Sequence, residues 1–318
     1  MKAQTPVPSH IPTVAELIKA RSAAASSPGA RTDSFHLALV IEGGGMRGVI
    51  ANGMTTALEE LKLLAVFDSV HGSSAGAAAG AYFLSEQAKM SATIYYEDIN
   101  NETFISYRRV FLGKPVMNIG FLIDHVFRTI KPLAAEKIVT SSIPLNIVMT
   151  DAASGHAHIQ CSFRSPHEVF EALRATTTIP ILAGPPIALN DKRIFDGGIA
   201  QQIPIQSAMA GKATHVLVLL TRDPFRPQNA LSQAVEASLL GLFYGTTIRN
   251  AYLTRSASID DAVRACLCSS TQRQWGTAVR PVYLRCDVAG LDRLTTDARL
   301  LRRGADEGYR ALTTSLGA

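Results

Sequence analysis

Four cysteines in 318 residues, Cys161, Cys266, Cys268 and Cys286, are too few and too irregularly spaced for a disulfide framework or a paired C-x-x-C zinc site. They read as reduced thiols, mostly structural. Also missing is a run of the ~18 consecutive apolar residues that a membrane-spanning helix needs; residues 77–84 are mostly small alanines. No charged flank leads into a long apolar segment near the N-terminus, so the expectation is a cytoplasmic address. Basic residues are not interleaved with aromatics as in a groove for single-stranded nucleic acid, which sets that partner aside. His156 and His158 stand two apart with no third ligand nearby, and a turn leading into a strand accounts for them better than a metal does. The net charge of +5, with a pI near 9.1, suits peripheral contact with an anionic membrane surface and equally suits a solvated basic face.

Apolar residues make up 47% of the chain, enough for a large core in one α/β domain or two small ones. Residues 1–34, rich in Pro, Ser and Ala around the short amphipathic stretch 14–20, read as an N-terminal tail or docking segment. From residue 35 the pattern alternates. The run 36–42 has the signature of a buried strand, Val49, Met54, Leu58 and Leu61 follow at helical spacing, and a second apolar run spans 64–70. Strand followed by helix, repeated, predicts a mostly parallel sheet covered on both faces. Further strands are expected at 144–150, 158–163, 214–220 and 281–286. Residues 95–132, with Phe104, Tyr107, Phe111, Phe121 and Phe127 among charges, read either as a cap over a site or as ordinary helical packing.

Two glycine-rich turns carry the chemistry. Gly72-Ser73-Ser74-Ala75-Gly76 lies between an apolar run and an alanine-rich helical one, the context of a nucleophile elbow with Ser74 at its tip. Gly43-Gly44-Gly45-Met46-Arg47-Gly48 joins a strand to a helix and formally satisfies G-x-G-x-x-G. A dinucleotide site would need an acid at the end of the next strand, and Asp68 is expected mid-strand instead. The same run exposes successive backbone N–H groups beside a helix start, and next to a serine nucleophile the anion they would meet is an oxyanion.

Ser74 needs a base. The pentapeptide alone suggests a Ser-His-Asp hydrolase, but His215 opens an apolar run that should be buried, and His71 reads as a packed strand residue. Asp196, before Gly197-Gly198, offers a carboxylate that burial can turn into a direct base; Asp151 is a second-choice acid. Taken singly, an Asp-Gly-Gly is also an ordinary turn.

In this order, the glycine run, the serine pentapeptide and Asp196-Gly197-Gly198 resemble the three blocks of the patatin-like phospholipase family, across about residues 35–210. The resemblance implies a three-layer α/β/α sandwich with a mostly parallel central sheet, in a hydrolase domain of residues 35–318 whose part after 210 is an extension. It implies a Ser-Asp dyad of Ser74 and Asp196, an oxyanion hole of Gly43, Gly44 and Gly45 braced by Arg47, and hydrolysis of ester bonds in phospholipids or related acyl lipids. No cofactor is implied. The family's Ala-Ser-x-x-x-Pro element appears as Ala175-Thr176-Thr177-Thr178-Ile179-Pro180, with threonine in place of serine. Alternatives sharing the residues are a serine esterase or thioesterase acting on soluble acyl substrates, and a noncatalytic lipid-binding scaffold.

Overall fold

A computed structural model of the chain describes residues 11–225, 230–268, 273–274, 277–284 and 288–317; Cys286, Arg226 and Pro227 lie outside them, as do the side chains of Cys266 and Cys268. In chain order the elements are α1 (Val14–Ala23), β1 (Leu37–Ile41), α2 (Gly48–Glu60), β2 (Ser69–Ser73), α3 (Ala75–Leu84), α4 (Ala88–Glu97), α5 (Ala135–Val139), β3 (Leu145–Asp151), β4 (Ala157–Gln160) and α6 (Pro166–Thr177). They continue with β5 (Ile187–Leu189), β6 (Lys192–Asp196), α7 (Ile205–Ala210), β7 (His215–Leu219), α8 (Ala230–Cys268, broken at Gly245), β8 (Arg273–Gln274), β9 (Thr277–Val282) and α9 (Ala298–Leu316).

The strands form one sheet. Its centre is the parallel block β3-β2-β1-β7-β9, and antiparallel strands finish it: β6, β5 and β4 beyond β3, and β8 beyond β9. Helices cover both faces, giving the expected α/β/α layering. The two-residue strand period explains the layers. Leu37, Leu39 and Ile41 of β1 enter the larger core with α2, α3 and α9, while Ala38 and Val40 point the other way, into a smaller core closed by Ile205 and Ala208 of α7. Both faces of β1 are therefore fully buried, as its continuous apolar run requires.

Within residues 1–34, α1 packs against the domain. Thr13 caps it reciprocally with Glu16, and Val14, Leu17 and Ile18 join the larger core. Arg21 reaches inward with a side chain only 1% exposed, held by Asp33 at 2.8 Å and Asp68 at 2.6 Å and donating to the carbonyls of Val66 and Phe35.

Two expected strands are displaced. Residues 64–66 form a short 3₁₀ turn, and β2 starts only at Ser69. The apolar side chains of that run serve the core instead, with Phe67 set edge-on against Phe83 of α3. Asp68 thus precedes the strand, and its carboxylate binds Arg21 and Arg31 rather than facing a nucleotide. The strand expected at 281–286 begins already at Thr277 and ends at Val282, because it takes its register from β7, His215 pairing with Ala278 and Leu219 with Val282; residues 285–286 lie outside the described residues. Among the described residues no helix is long and apolar enough to cross a membrane, and no group of three His, Cys, Asp or Glu is placed to hold a metal.

Candidate active site

Parallel strands deliver their carboxyl ends to one edge, where crevices form in open α/β sheets. There β1 runs into Gly43-Gly44-Gly45 and β2 into Ser74. Ser74 sits between strand and helix at φ +53° and ψ −127°, a left-handed conformation that a serine rarely adopts and that costs on the order of 1–3 kcal/mol unless its surroundings enforce it. One enforcer is visible. The Ser74 N–H donates to Thr176 Oγ1 at 2.9 Å, and that hydroxyl donates on to the Val148 carbonyl at 2.5 Å. The threonine at the serine position of the family element is therefore the brace of the elbow.

Asp196 arrives by register. Ser73 pairs with Val148 across β2 and β3, and Met149 pairs with Asp196 across β3 and β6, so three adjacent strands align the serine turn with the carboxylate. Gly197 makes the close approach feasible: a Cβ there would lie 2.0 Å from the Val148 carbonyl oxygen and 2.7 Å from Ser73 Oγ. The Asp196 backbone is held at both ends, its N–H donating to Thr178 O at 3.0 Å and its carbonyl accepting from Thr150 Oγ1 at 2.8 Å.

Asp196 Oδ1 accepts the Gly198 N–H at 2.7 Å, whereas Oδ2 is buried with no hydrogen-bond partner. Burial pushes the carboxyl up to about 6, against the pull of the nearby Ser74 hydroxyl, the Gly198 N–H and the charges of Arg255 and Arg293. The hydroxyl acts within electrostatic reach without closing a full hydrogen bond.

The glycine run divides its donors. Gly43 N–H is already given to the Gln202 carbonyl at 3.0 Å, and Met46 N–H to Arg293 O at 3.1 Å. The N–H groups of Gly44 and Gly45 donate to no atom of the described residues. Gly45 stands at φ +56°, where a Cβ would also meet Arg293 O at 2.7 Å. The Gly43 N–H thus ties the run to the loop after Asp196.

Ser74, Asp196, Gly43, Gly44 and Gly45 all line one cavity of about 430 Å³. Arg47 lines a smaller adjoining one of about 190 Å³, with Arg222, Arg255 and Arg293. A narrow apolar slot of about 40 Å³ leads from Ser74 and Gly45 between Phe104, Met117, Leu122 and Phe127, so residues 95–132 do cover the serine. Other walls had no sequence signal. Leu240, Tyr252 and Arg255 come from α8 and Arg293 from the loop before α9; Arg255 donates to the Gly198 carbonyl, and Glu236 holds both Arg293 and the Tyr252 hydroxyl.

The remaining candidates lie elsewhere. His71 is buried between Ser207 Oγ and Ser69 Oγ, at 2.8 and 3.0 Å, and burial drives it down to about 3, so it is neutral throughout the usual assay range. His215 is buried in β7 and contacts the Pro12 carbonyl. Asp151 accepts N–H bonds from Ala153 and Ser154, with Lys192 3.5 Å away, outside the cavity lining. Thr221 and Arg222, in the loop after β7, bind the buried Glu42 carboxylate.

The family model for patatin-like phospholipases matches residues 39–209, over half of the chain. The chain belongs to the patatin-like phospholipase family. As a patatin-like protein it is by class a lipid acyl hydrolase, and both glycine turns, Ser74, Thr176 and Asp196 fall inside the matched region. No curated protein matches the chain. Among solved structures it is similar to VipD from Legionella pneumophila, with 14% identity, a TM-score of 0.46 and coverage of 89% of this chain and 67% of that one. So low an identity leaves the patatin-like site to be read from this chain's own residues.

Proposed function

We propose that this patatin-like protein hydrolyses carboxylic ester bonds of phospholipids or related acyl lipids through a Ser74-Asp196 dyad. One observation carries the reading: a serine held at a strained strand-to-helix turn shares a cavity with a buried carboxylate that has an unpartnered oxygen and a pKa lifted to about 6. An ordinary surface aspartate is a weak base near neutrality, and a carboxylate lifted to about 6 is a stronger one that remains ionised there.

Asp196 takes the proton of the Ser74 hydroxyl as Oγ bonds to the ester carbonyl carbon. The negative charge moves to the carbonyl oxygen, which accepts hydrogen bonds from the free N–H groups of Gly44 and Gly45, with Arg47 bracing the turn. A preorganised donor of this kind contributes about 3–4 kcal/mol to the transition state. Collapse breaks the bond to the leaving alkoxide, which takes the proton from Asp196, and an acyl-serine remains. Water then gives a proton to Asp196, adds to the acyl carbon and expels Ser74 Oγ, which recovers the proton as the fatty acid departs. The apolar slot beside Ser74 is suited to the first part of an acyl chain, and the larger cavity to the rest of the lipid.

A fluorophosphonate probe tests the reading. Labelling of the wild type that disappears in Ser74→Ala, with loss of ester hydrolysis in both Ser74→Ala and Asp196→Asn, is the expected result. No labelling of the folded wild-type chain would instead indicate a noncatalytic lipid-binding role, and hydrolysis of soluble thioesters or short esters without action on lipids would indicate the soluble-substrate esterase.

A further inference from the structure

Soluble proteins rarely leave large contiguous apolar patches in water. Two segments of this chain do so. In the 3₁₀ stretch Tyr107–Leu112, Phe111 is 91% exposed and Leu112 73%, with Val110 beside them. In the first part of α8, before the break at Gly245, Leu231, Val235, Leu239 and Leu242 follow one another four, four and three residues apart and are all exposed, with Phe243 next to the last. That helix is apolar on its opposite side as well, where Ala237 and Leu240 are buried against Phe195 and Ile199. Apolar rows on two sides of one helix call for two apolar surroundings, and this helix has a protein interior on one side only.

We infer that residues 107–112 and the outer face of residues 231–243 together form the surface by which this protein docks on an anionic lipid bilayer, with the mouth of the Ser74 cavity facing the membrane. Their position supports this, because Tyr107 from one segment and Leu239 from the other both line the cavity that holds Ser74. The two patches are therefore two rims of one opening. Charge points to the same occupant. Residues 107–114 contain Arg108, Arg109 and Lys114 and no acid, Arg108 is 85% exposed with Glu102 at 3.9 Å, and Arg249 lies exposed beyond the helix break. Apolar side chains ringed by cations suit insertion at the headgroup boundary of a negatively charged leaflet, where buried apolar area and charge attraction add. The choice of a bilayer rests on the acyl-lipid reading of the cavity, but the binding itself requires no catalysis.

The test uses the full chain carrying Ser74→Ala, so that lipid is not consumed, and vesicles of phosphatidylcholine mixed with phosphatidylglycerol. Cosedimentation at low salt is expected for this parent. Binding should weaken about tenfold or more when Phe111→Ser, Leu112→Ser, Leu242→Ser and Phe243→Ser are added, and should weaken with added salt or on vesicles of phosphatidylcholine alone. With Ser74 restored, the fourfold variant should hydrolyse a soluble short-chain ester as the wild type does, since none of the four side chains lines the cavity; an unchanged unfolding transition gives the same control without chemistry. A parent that does not bind these vesicles, or a folded fourfold variant that binds as well as the parent, overturns the inference. So does an oligomer that the four substitutions dissociate while vesicle binding persists, because the face would then join copies of the chain. A chain that binds vesicles through this surface yet hydrolyses no ester overturns the proposed activity and leaves the docking surface standing.

Discussion

Replacing Asp196 with asparagine should make the protein more stable while abolishing hydrolysis, and the gain should depend on pH in a calculable way. The carboxyl stands near 3.8 in an unfolded chain and at about 6 when folded, because burial outweighs the hydrogen bonds and arginines that favour its charge. A folded-state pKa above the unfolded one means that the folded protein binds the extra proton between the two values. Stability from this group is then complete below about 3.8 and is lost as the pH rises through about 6. The shift of about 2 units, at about 1.4 kcal/mol each, corresponds to about 3 kcal/mol of destabilisation above pH 7. The interactions opposing burial are already contained in that shift. Asparagine is nearly isosteric, keeps an oxygen for the Gly198 N–H and carries no charge. Asp196→Asn should therefore unfold about 4–5 °C higher than the wild type at pH 8, taking an unfolding entropy of about 2 cal/mol/K per residue, and the difference should vanish near pH 4. Calorimetry of both chains across this range gives the answer. Equal stability at pH 8, or a gain that does not change with pH, would refute the claim that a buried, costly carboxylate sits beside Ser74. The same ionisation should set the acid limb of kcat/KM near pH 6 in the wild type, with activity on the alkaline side.

Thr176→Val removes the acceptor for the Ser74 N–H and should cost about 1–3 kcal/mol of stability together with most of the activity, whereas Thr176→Ser should retain both; denaturation and ester hydrolysis measured side by side decide this. His71→Asn should leave the pH profile of hydrolysis unchanged, since His71 is uncharged above about 3 and lies outside the cavity, and a shifted profile would point to a histidine base. Arg21→Met strips the arginine from Asp33 and leaves Asp68 with Arg31 alone, and should cost about 3 kcal/mol, read in chemical denaturation, with activity intact in the molecules that stay folded.

Local signals in the chain were sufficient for the alternation of strand and helix, for the turns at Gly43–Gly45 and Ser74, and for Asp196 before its two glycines, because each depends on neighbours within a few residues. They were misleading over 64–70. An apolar run there packs as a turn, while β2 is built from Ser69, Val70, His71, Gly72 and Ser73, of which hydropathy marks only Val70 although all are buried. What brings Asp196 to Ser74 across 122 positions is the register of β2, β3 and β6, a property of paired strands that no single segment carries. The division of donors among the three glycines is likewise tertiary, since Gly43 loses its N–H to Gln202, a residue from the loop after Asp196. So is the lift of Asp196 to about 6, which comes from distant segments removing water from one carboxylate and outweighs the opposing charge of Arg255 from α8. Composition and spacing thus determined which residues were available for acyl chemistry, and long-range packing decided which of them meet, in what conformation and at what pKa.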